Sequence, residues 1–153
     1  MELGTLVREI HVEASPEIVF EVVSSPDHLK EWWPDEARYD STPGSTGEIA
    51  FGDPTAGGKV VSLTVVVVQP PRTFSFRWTH PADEEAAAGN SLLVTFELTP
   101  SGGGTLLKMT ETGFREMGWE AAVLEEQYRE HATGWDFFLP RIAPYVAKLE
   151  VRQ

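Results

Sequence analysis

The chain has 153 residues, 41% of them hydrophobic and 24% charged, which is the balance of a globular domain and not of a disordered segment. Its 24 acidic and 12 basic residues give a formal net charge of −12, which disfavours nucleic acid and anionic membranes as partners. The absence of cysteine excludes disulfides, thiolate metal sites and cysteine nucleophiles. We therefore predict a single domain over residues 1–153.

The N-terminal segment predicts one strand followed by two short helices. Residues 6–13 alternate between apolar and polar, which is typical of a half-buried strand, although Arg8 falls on the apolar face. Ser15 and Pro16 then supply an N-cap and a proline at the first helical position. A second short helix is predicted through Leu29 to Trp33, where Pro34 ends it.

The middle of the chain, residues 39–113, predicts antiparallel strands joined by turns. Residues 60–68 are rich in β-branched side chains, residues 73–79 alternate strictly between apolar and polar, and Leu92, Val94, Phe96 and Leu98 mark the next strand. A glycine-rich turn at 100–104 leads into a last strand, and it is followed by neither the lysine nor the helix that a phosphate-binding loop requires. This order predicts a meander of hairpins.

The C-terminal third changes to helical spacing. Its apolar residues recur every three or four positions, and Pro140 and Pro144 are expected to kink or split the helix. The predicted fold class is α+β of the helix-grip type: a curved antiparallel sheet, with two short helices after its first strand, wrapped around a long C-terminal helix. A curved sheet cannot touch a straight helix along its whole length, so a cavity is expected between them.

Several segments, in a fixed order, resemble one known superfamily. They are Ile10 to Phe20, the Leu29-Lys30-Glu31-Trp32-Trp33-Pro34 segment, Pro70-Pro71 to Trp78, Gly104 to Phe114, and Gly134-Trp135 with the apolar residues that follow. Together they resemble the START-like, or polyketide-cyclase-like, helix-grip superfamily. Within it the chain is most similar to the group named after the C-terminal domain of the activator of the 90-kDa heat-shock protein's ATPase.

The resemblance implies a fold more firmly than a reaction, because the superfamily includes lipid and hormone carriers, polyketide cyclases and a co-chaperone domain. One position departs from the family pattern. The late strand often has histidine where Glu111 stands in this sequence. A ligand contact through that histidine is therefore not expected here.

The candidate ligand-binding residues come from separate segments that this architecture turns toward the gap between sheet and helix. They are Trp32, Trp33, Phe51, Phe76, Trp78, Met109, Glu111, Trp135 and Phe138. The alternative is that most of the aromatic rings simply fill the core, as inward-facing aromatic side chains usually do. The two interpretations are compatible if only some of the rings line a cavity.

Glu111 is the sharpest single candidate. If Leu107 and Met109 point inward, the alternation places Glu111 on the same face, where a carboxylate must be paired or hydrated. It would then orient a ligand hydroxyl or amine, or act as a general acid or base. Two alternatives stay open: the strand ends before Glu111 and leaves it at a wet rim, or Arg8 pairs with it.

No metal site and no cofactor are predicted. The four histidines, His11, His28, His80 and His131, are scattered without metal-ligand spacing, and each is expected on the surface. Residues 1–5 lack the features of a signal peptide, and the longest apolar run, Val65 to Val68, is far shorter than the roughly 20 residues that span a bilayer. We therefore expect a cytoplasmic protein that does not bind membranes.

The leading functional hypothesis is a non-catalytic binder of an apolar small molecule. The first alternative is a cyclase-like or hydratase-like enzyme acting on such a molecule through Glu111. The second is a chaperone-associated interaction domain, which only the family resemblance suggests. A homodimer is a further hypothesis, because the valines at 65–68 would place two apolar side chains on the outer face of the sheet.

Overall fold

The computed structural model describes residues 4–52 and 57–151. The strands are β1 (Thr5–Val12), β2 (Glu36–Arg38), β3 (Thr46–Phe51), β4 (Lys59–Gln69), β5 (Thr73–Trp78), β6 (Leu92–Ser101) and β7 (Gly104–Thr112). The helices are α1 (Pro16–Ser24), α2 (Pro26–Leu29), α3 (Ala121–Phe138) and α4 (Ile142–Val151). None of the helices in this part of the chain is both long enough and apolar enough to cross a membrane.

The strands form one antiparallel sheet in the order β1-β7-β6-β5-β4-β3-β2. The consecutive strands β2 to β7 are neighbours in the sheet, and β1 pairs with β7 at the far side. The curved sheet, the short helices after β1 and the long C-terminal helical segment confirm the predicted α+β helix-grip fold.

Helix α1 begins where the sequence predicts it. The Ser15 side chain accepts a hydrogen bond from the backbone N–H of Ile18 at 3.4 Å, and Pro16 occupies the first helical position. The second helix begins at Pro26, within the Ser25-Pro26-Asp27 segment that predicts its start, but it is shorter than predicted. It ends at Leu29, and the segment that follows it, through Trp32 and Trp33, forms hydrogen-bonded turns.

The C-terminal helical segment is split, as expected, at one of its two prolines. Pro140 lies in a single turn of 3₁₀ helix, residues 139–141, that separates α3 from α4. Pro144 lies in the first turn of α4, where a missing N–H breaks no helical hydrogen bond. Leu139, Ile142 and Val146 are buried, so the segment keeps one apolar face against the sheet across the break.

The valine run on β4 differs from the strict alternation expected for it. Val65 pairs with Phe76 and Val67 pairs with Ser75, so the register shifts by one residue at Val66. Val65 is buried, Val66 is exposed, and the two valines after them are half-buried. A bulge of this kind reorients the side chains that follow it. A strict alternation of inward and outward side chains does not predict such a change.

Candidate functional site

The predicted apolar residues of the site divide into two groups. Trp32, Phe76 and Met109 have no solvent exposure and pack inside the core. The indole N–H of Trp32 donates to the backbone carbonyl of Val22 at 2.9 Å, which satisfies its only polar atom. These three side chains therefore fill space that the sequence analysis assigned to a ligand.

The remaining predicted aromatic residues line a cavity of about 190 Å³ that lies between the sheet and α3 and is open to solvent. The cavity is lined by Trp33, Phe51, Trp78, Glu130, His131, Gly134, Trp135 and Phe138. Trp33 is central to its wall, since its ring centroid lies 5.0 Å from that of Trp78 and 4.9 Å from that of Trp135. Two of the lining residues, Glu130 and His131, have polar side chains, and Glu130 is exposed. The others are aromatic residues and Gly134, which has no side chain.

Glu111 lies beside the cavity wall with 0% of its surface exposed. Trp78 Nε1 donates to its Oε2 at 2.7 Å, and Trp135 Nε1 donates to its Oε1 at 2.9 Å. His131 Nδ1 lies 3.0 Å from Oε1 and 3.1 Å from Oε2. Three side chains, two of them on α3, thus enclose the carboxylate completely.

Both alternative explanations for Glu111 are wrong. Strand β7 continues through Thr112, so Glu111 remains in the inward alternation and does not reach a wet rim. Arg8 pairs instead with Asp136 of α3, with 2.6 Å between Nε and Oδ1. Glu111 therefore faces inward and is held by neutral donors and a histidine.

The polar atoms of the Glu111 side chain all have hydrogen-bond partners. An indole N–H can only donate, so the two tryptophans require an acceptor on each of the two oxygens. A buried polar group is tolerated only when it is hydrogen-bonded, and here two indole N–H groups and the Nδ1 of His131 contact it. Within residues 4–52 and 57–149, no buried side-chain nitrogen or oxygen lacks a hydrogen-bond partner.

His131 is the site residue that the sequence analysis missed. It was expected on the surface, yet its side chain is only 13% exposed and its ring contacts Trp78 and Phe114 at centroid distances of 5.3 and 5.5 Å. Its spacing contains the signal that would have found it. His131 lies four residues before Trp135, and residues four apart share one face of a helix.

The other histidines lie apart from this site. His80 is also buried, contrary to expectation, and its Nε2 lies 3.0 Å from the Thr64 hydroxyl. His28 is half-buried, and its Nδ1 lies 2.7 Å from the Tyr145 hydroxyl. Among the described residues, no group of three or more histidine, aspartate or glutamate side chains could hold a metal ion.

A second and larger hollow lies between α2 and α4. Its volume is about 540 Å³, and its walls are mostly polar: Asp27, His28, Glu31, Arg141, Pro144, Tyr145, Lys148 and Leu149. Charged groups that face water lose their hydration when an apolar molecule covers them. This cleft is therefore a poor site for the apolar ligand that the sequence analysis predicts.

Comparison with known families decides where the chain belongs. A model of the family described as activator of Hsp90 ATPase homolog 1-like protein matches residues 13–147. The chain belongs to this family. The family resemblance inferred from the sequence is thereby confirmed.

Solved structures show the same fold in proteins of low sequence identity. Protein MLL2253 from Mesorhizobium loti is 23% identical with a TM-score of 0.73, and the match covers 94% of this chain and 97% of that one. The Aha1 dimer from Colwellia psychrerythraea is 20% identical with a TM-score of 0.70, covering 93% and 95%. CalU16 from Micromonospora echinospora is 19% identical with a TM-score of 0.65, covering 97% and 79%. Among curated proteins, none matches this chain.

Proposed function

We propose that this family member binds a small apolar molecule in the cavity between the sheet and α3, without catalysing a reaction. The observation that supports this most directly is the cavity itself, about 190 Å³ with a wall of aromatic rings. An apolar wall of this kind gains free energy when a ring replaces water, at roughly 25 cal/mol for each Å² of apolar surface buried.

The volume limits the size of the ligand. Drug-sized ligands occupy pockets of about 300–1,000 Å³, whereas an apolar cavity of about 150 Å³ accepts benzene. A cavity of about 190 Å³ therefore suits one substituted ring. This is smaller than a drug-sized ligand, because Trp32, Phe76 and Met109 fill part of the space between the sheet and the helix.

Gly134 gives independent support. It lies inside α3, where glycine costs about 1 kcal/mol relative to alanine. A Cβ built at this position would meet no heavy atom within 4 Å outside its own stretch of helix, and the residue lines the cavity. A larger residue would therefore project into space that the chain leaves open.

The test is titration of toluene, followed through the indole N–H signals of Trp33, Trp78 and Trp135 by NMR. A ligand of about seven heavy atoms is expected to bind with a Kd on the order of 0.1–1 mM. Gly134→Leu should fill the cavity and weaken binding by about tenfold or more. Thr133→Leu is the matched control, because the neighbouring side chain is exposed and does not line the cavity.

Two outcomes would count against the proposal. One is that neither toluene nor other single-ring compounds shift these signals in the unsubstituted protein. The other is that Gly134→Leu and Thr133→Leu bind toluene equally well. Circular dichroism of both variants shows whether the helix is retained.

The cyclase-like or hydratase-like alternative gains one observation, because His131 supplies beside Glu111 the second proton-transfer group that such chemistry requires. Its test is deuterium exchange at the methyl group of acetophenone in D₂O, with and without the protein. Exchange that is accelerated by the protein and lost in His131→Phe would favour this alternative. The chaperone-associated alternative rests on the family name alone.

Self-association is a separate proposal. The exposed apolar side chains on the sheet include Val60 and Val66 of β4, and the similar structure from Colwellia psychrerythraea is described as a dimer. A homodimer built on this surface would be weakened by Val66→Lys, which sedimentation velocity measures. A monomer at all concentrations in the unsubstituted protein would contradict it.

A further inference from the structure

The cavity wall contains one histidine whose two ring nitrogens have different surroundings. His131 Nδ1 faces both oxygens of Glu111, at 3.0 and 3.1 Å. We assign Glu111 as a carboxylate and His131 as a neutral imidazole. Such a carboxylate already accepts two indole N–H groups and can only accept again, which places the proton of the His131 contact on Nδ1.

Nε2 is left without a partner by this arrangement. Among the described residues, none forms a hydrogen bond with it, and the ring lines the cavity. In a neutral imidazole that carries its proton on Nδ1, Nε2 holds a lone pair and accepts a hydrogen bond. The indole N–H groups of Trp78 and Trp135 are occupied by Glu111, so they offer a ligand nothing.

We propose that the ligand is a single ring bearing one hydrogen-bond donor, of the phenol class, whose hydroxyl donates to His131 Nε2. This inference rests on the proposed function and adds the polar group that the ligand must carry. An uncharged donor fits better than a carboxylate for two reasons. The buried negative charge of Glu111 lies next to the same imidazole, and the chain carries a formal net charge of −12.

The geometry assigns separate roles to the wall and to the histidine. The rings of Phe51 and Phe138 receive the apolar part of the ligand, and they do not distinguish phenol from benzene. His131 distinguishes them, because a ligand without a donor leaves Nε2 unpaired in an apolar site. A pair of matched ligands can therefore probe the contribution of His131.

The experiment compares p-cresol with toluene, which differ only in a hydroxyl, in the unsubstituted protein and in His131→Phe. The ratio Kd(toluene)/Kd(p-cresol) should fall by about tenfold in the variant, and the ratio cancels changes that the substitution makes to the apolar wall, because both ligands contact it. A ratio unchanged within twofold would overturn the inference. So would tighter binding of 4-methylbenzoate than of p-cresol.

A second measurement does not depend on whether His131→Phe folds. The ¹⁵N chemical shift of His131 Nε2 in the unsubstituted protein should move from the value of an unprotonated nitrogen toward that of a hydrogen-bonded one on adding p-cresol, and not on adding toluene. Equal responses to both compounds would refute the assignment. If neither compound binds, and Gly134→Leu gives the same indole N–H signals as the unsubstituted protein when either is added, the proposed binding function fails. If both bind but with equal responses at His131 Nε2, only the assignment of a phenol-class ligand fails.

Discussion

Two acidic side chains connect the sheet to helix α3 in opposite environments. Glu111 of β7 contacts His131 and Trp135 of the helix and is 0% exposed. Asp136 of the helix contacts Arg8 of β1, and its side chain is 58% exposed. Strands β1 and β7 are adjacent, so both contacts join the same two layers. The difference between them is access to water.

That difference determines what each carboxylate contributes. A buried carboxylate has no water to replace a lost partner, so its N–H donors are essential and removing any of them is costly. When an exposed ion pair is broken, water replaces the lost contacts, so the free energy of unfolding changes little. The hydrogen bond with Asp136 raises the pKa of Arg8 above its ordinary value.

The largest effect is expected for Glu111→Gln. The amide replaces one acceptor oxygen by a donor, so at least one of the three N–H groups around it loses its partner. We expect the free energy of unfolding to fall by about 2–4 kcal/mol. Urea unfolding followed by tryptophan fluorescence measures it. A loss below about 1 kcal/mol would mean that Glu111 is not held as an ionised group.

A smaller effect is expected when the loss of a hydrogen bond to a carboxylate is compared with the loss of one to a backbone carbonyl. Trp135 donates to Glu111, whereas Trp32 donates to the backbone carbonyl of Val22, and both side chains are buried. Replacing either by phenylalanine removes similar volume. Because bonds to charged groups contribute about 1.5–3 kcal/mol and neutral ones about 0.5–1.5, Trp135→Phe should cost roughly 1 kcal/mol more than Trp32→Phe. Equal costs in urea unfolding would contradict the charged state of Glu111.

The fold followed from local patterns because each of its signals acts over a few residues. The Ser15 cap, the alternation in β5 to β7 and the proline between α3 and α4 are read directly from neighbouring positions. The bulge at Val66 was not predicted, since an extra residue in one strand depends on how the whole sheet curves.

The site could be predicted only in part. Alternation with Leu107 and Met109 correctly turned Glu111 inward. Its partners depend on how α3 packs across the sheet, which no local pattern specifies, so Arg8 remained an open alternative. His131 was missed although its spacing from Trp135 indicated its direction. The volume of the cavity depends on how closely the other rings pack, which composition does not reveal.

The smallest effect is expected for Asp136→Asn, which tests the exposed side of the comparison. Both partners of the Arg8–Asp136 pair are about a third exposed or more, so solvent screening reduces their attraction. The loss in unfolding free energy should be about 0.2–1 kcal/mol at low salt. It should shrink further near 1 M salt, where the Debye length is about 3 Å. A loss comparable to that of Glu111→Gln, or one that salt leaves unchanged, would show that burial does not distinguish the two contacts and that the enclosed carboxylate has no special place in this fold.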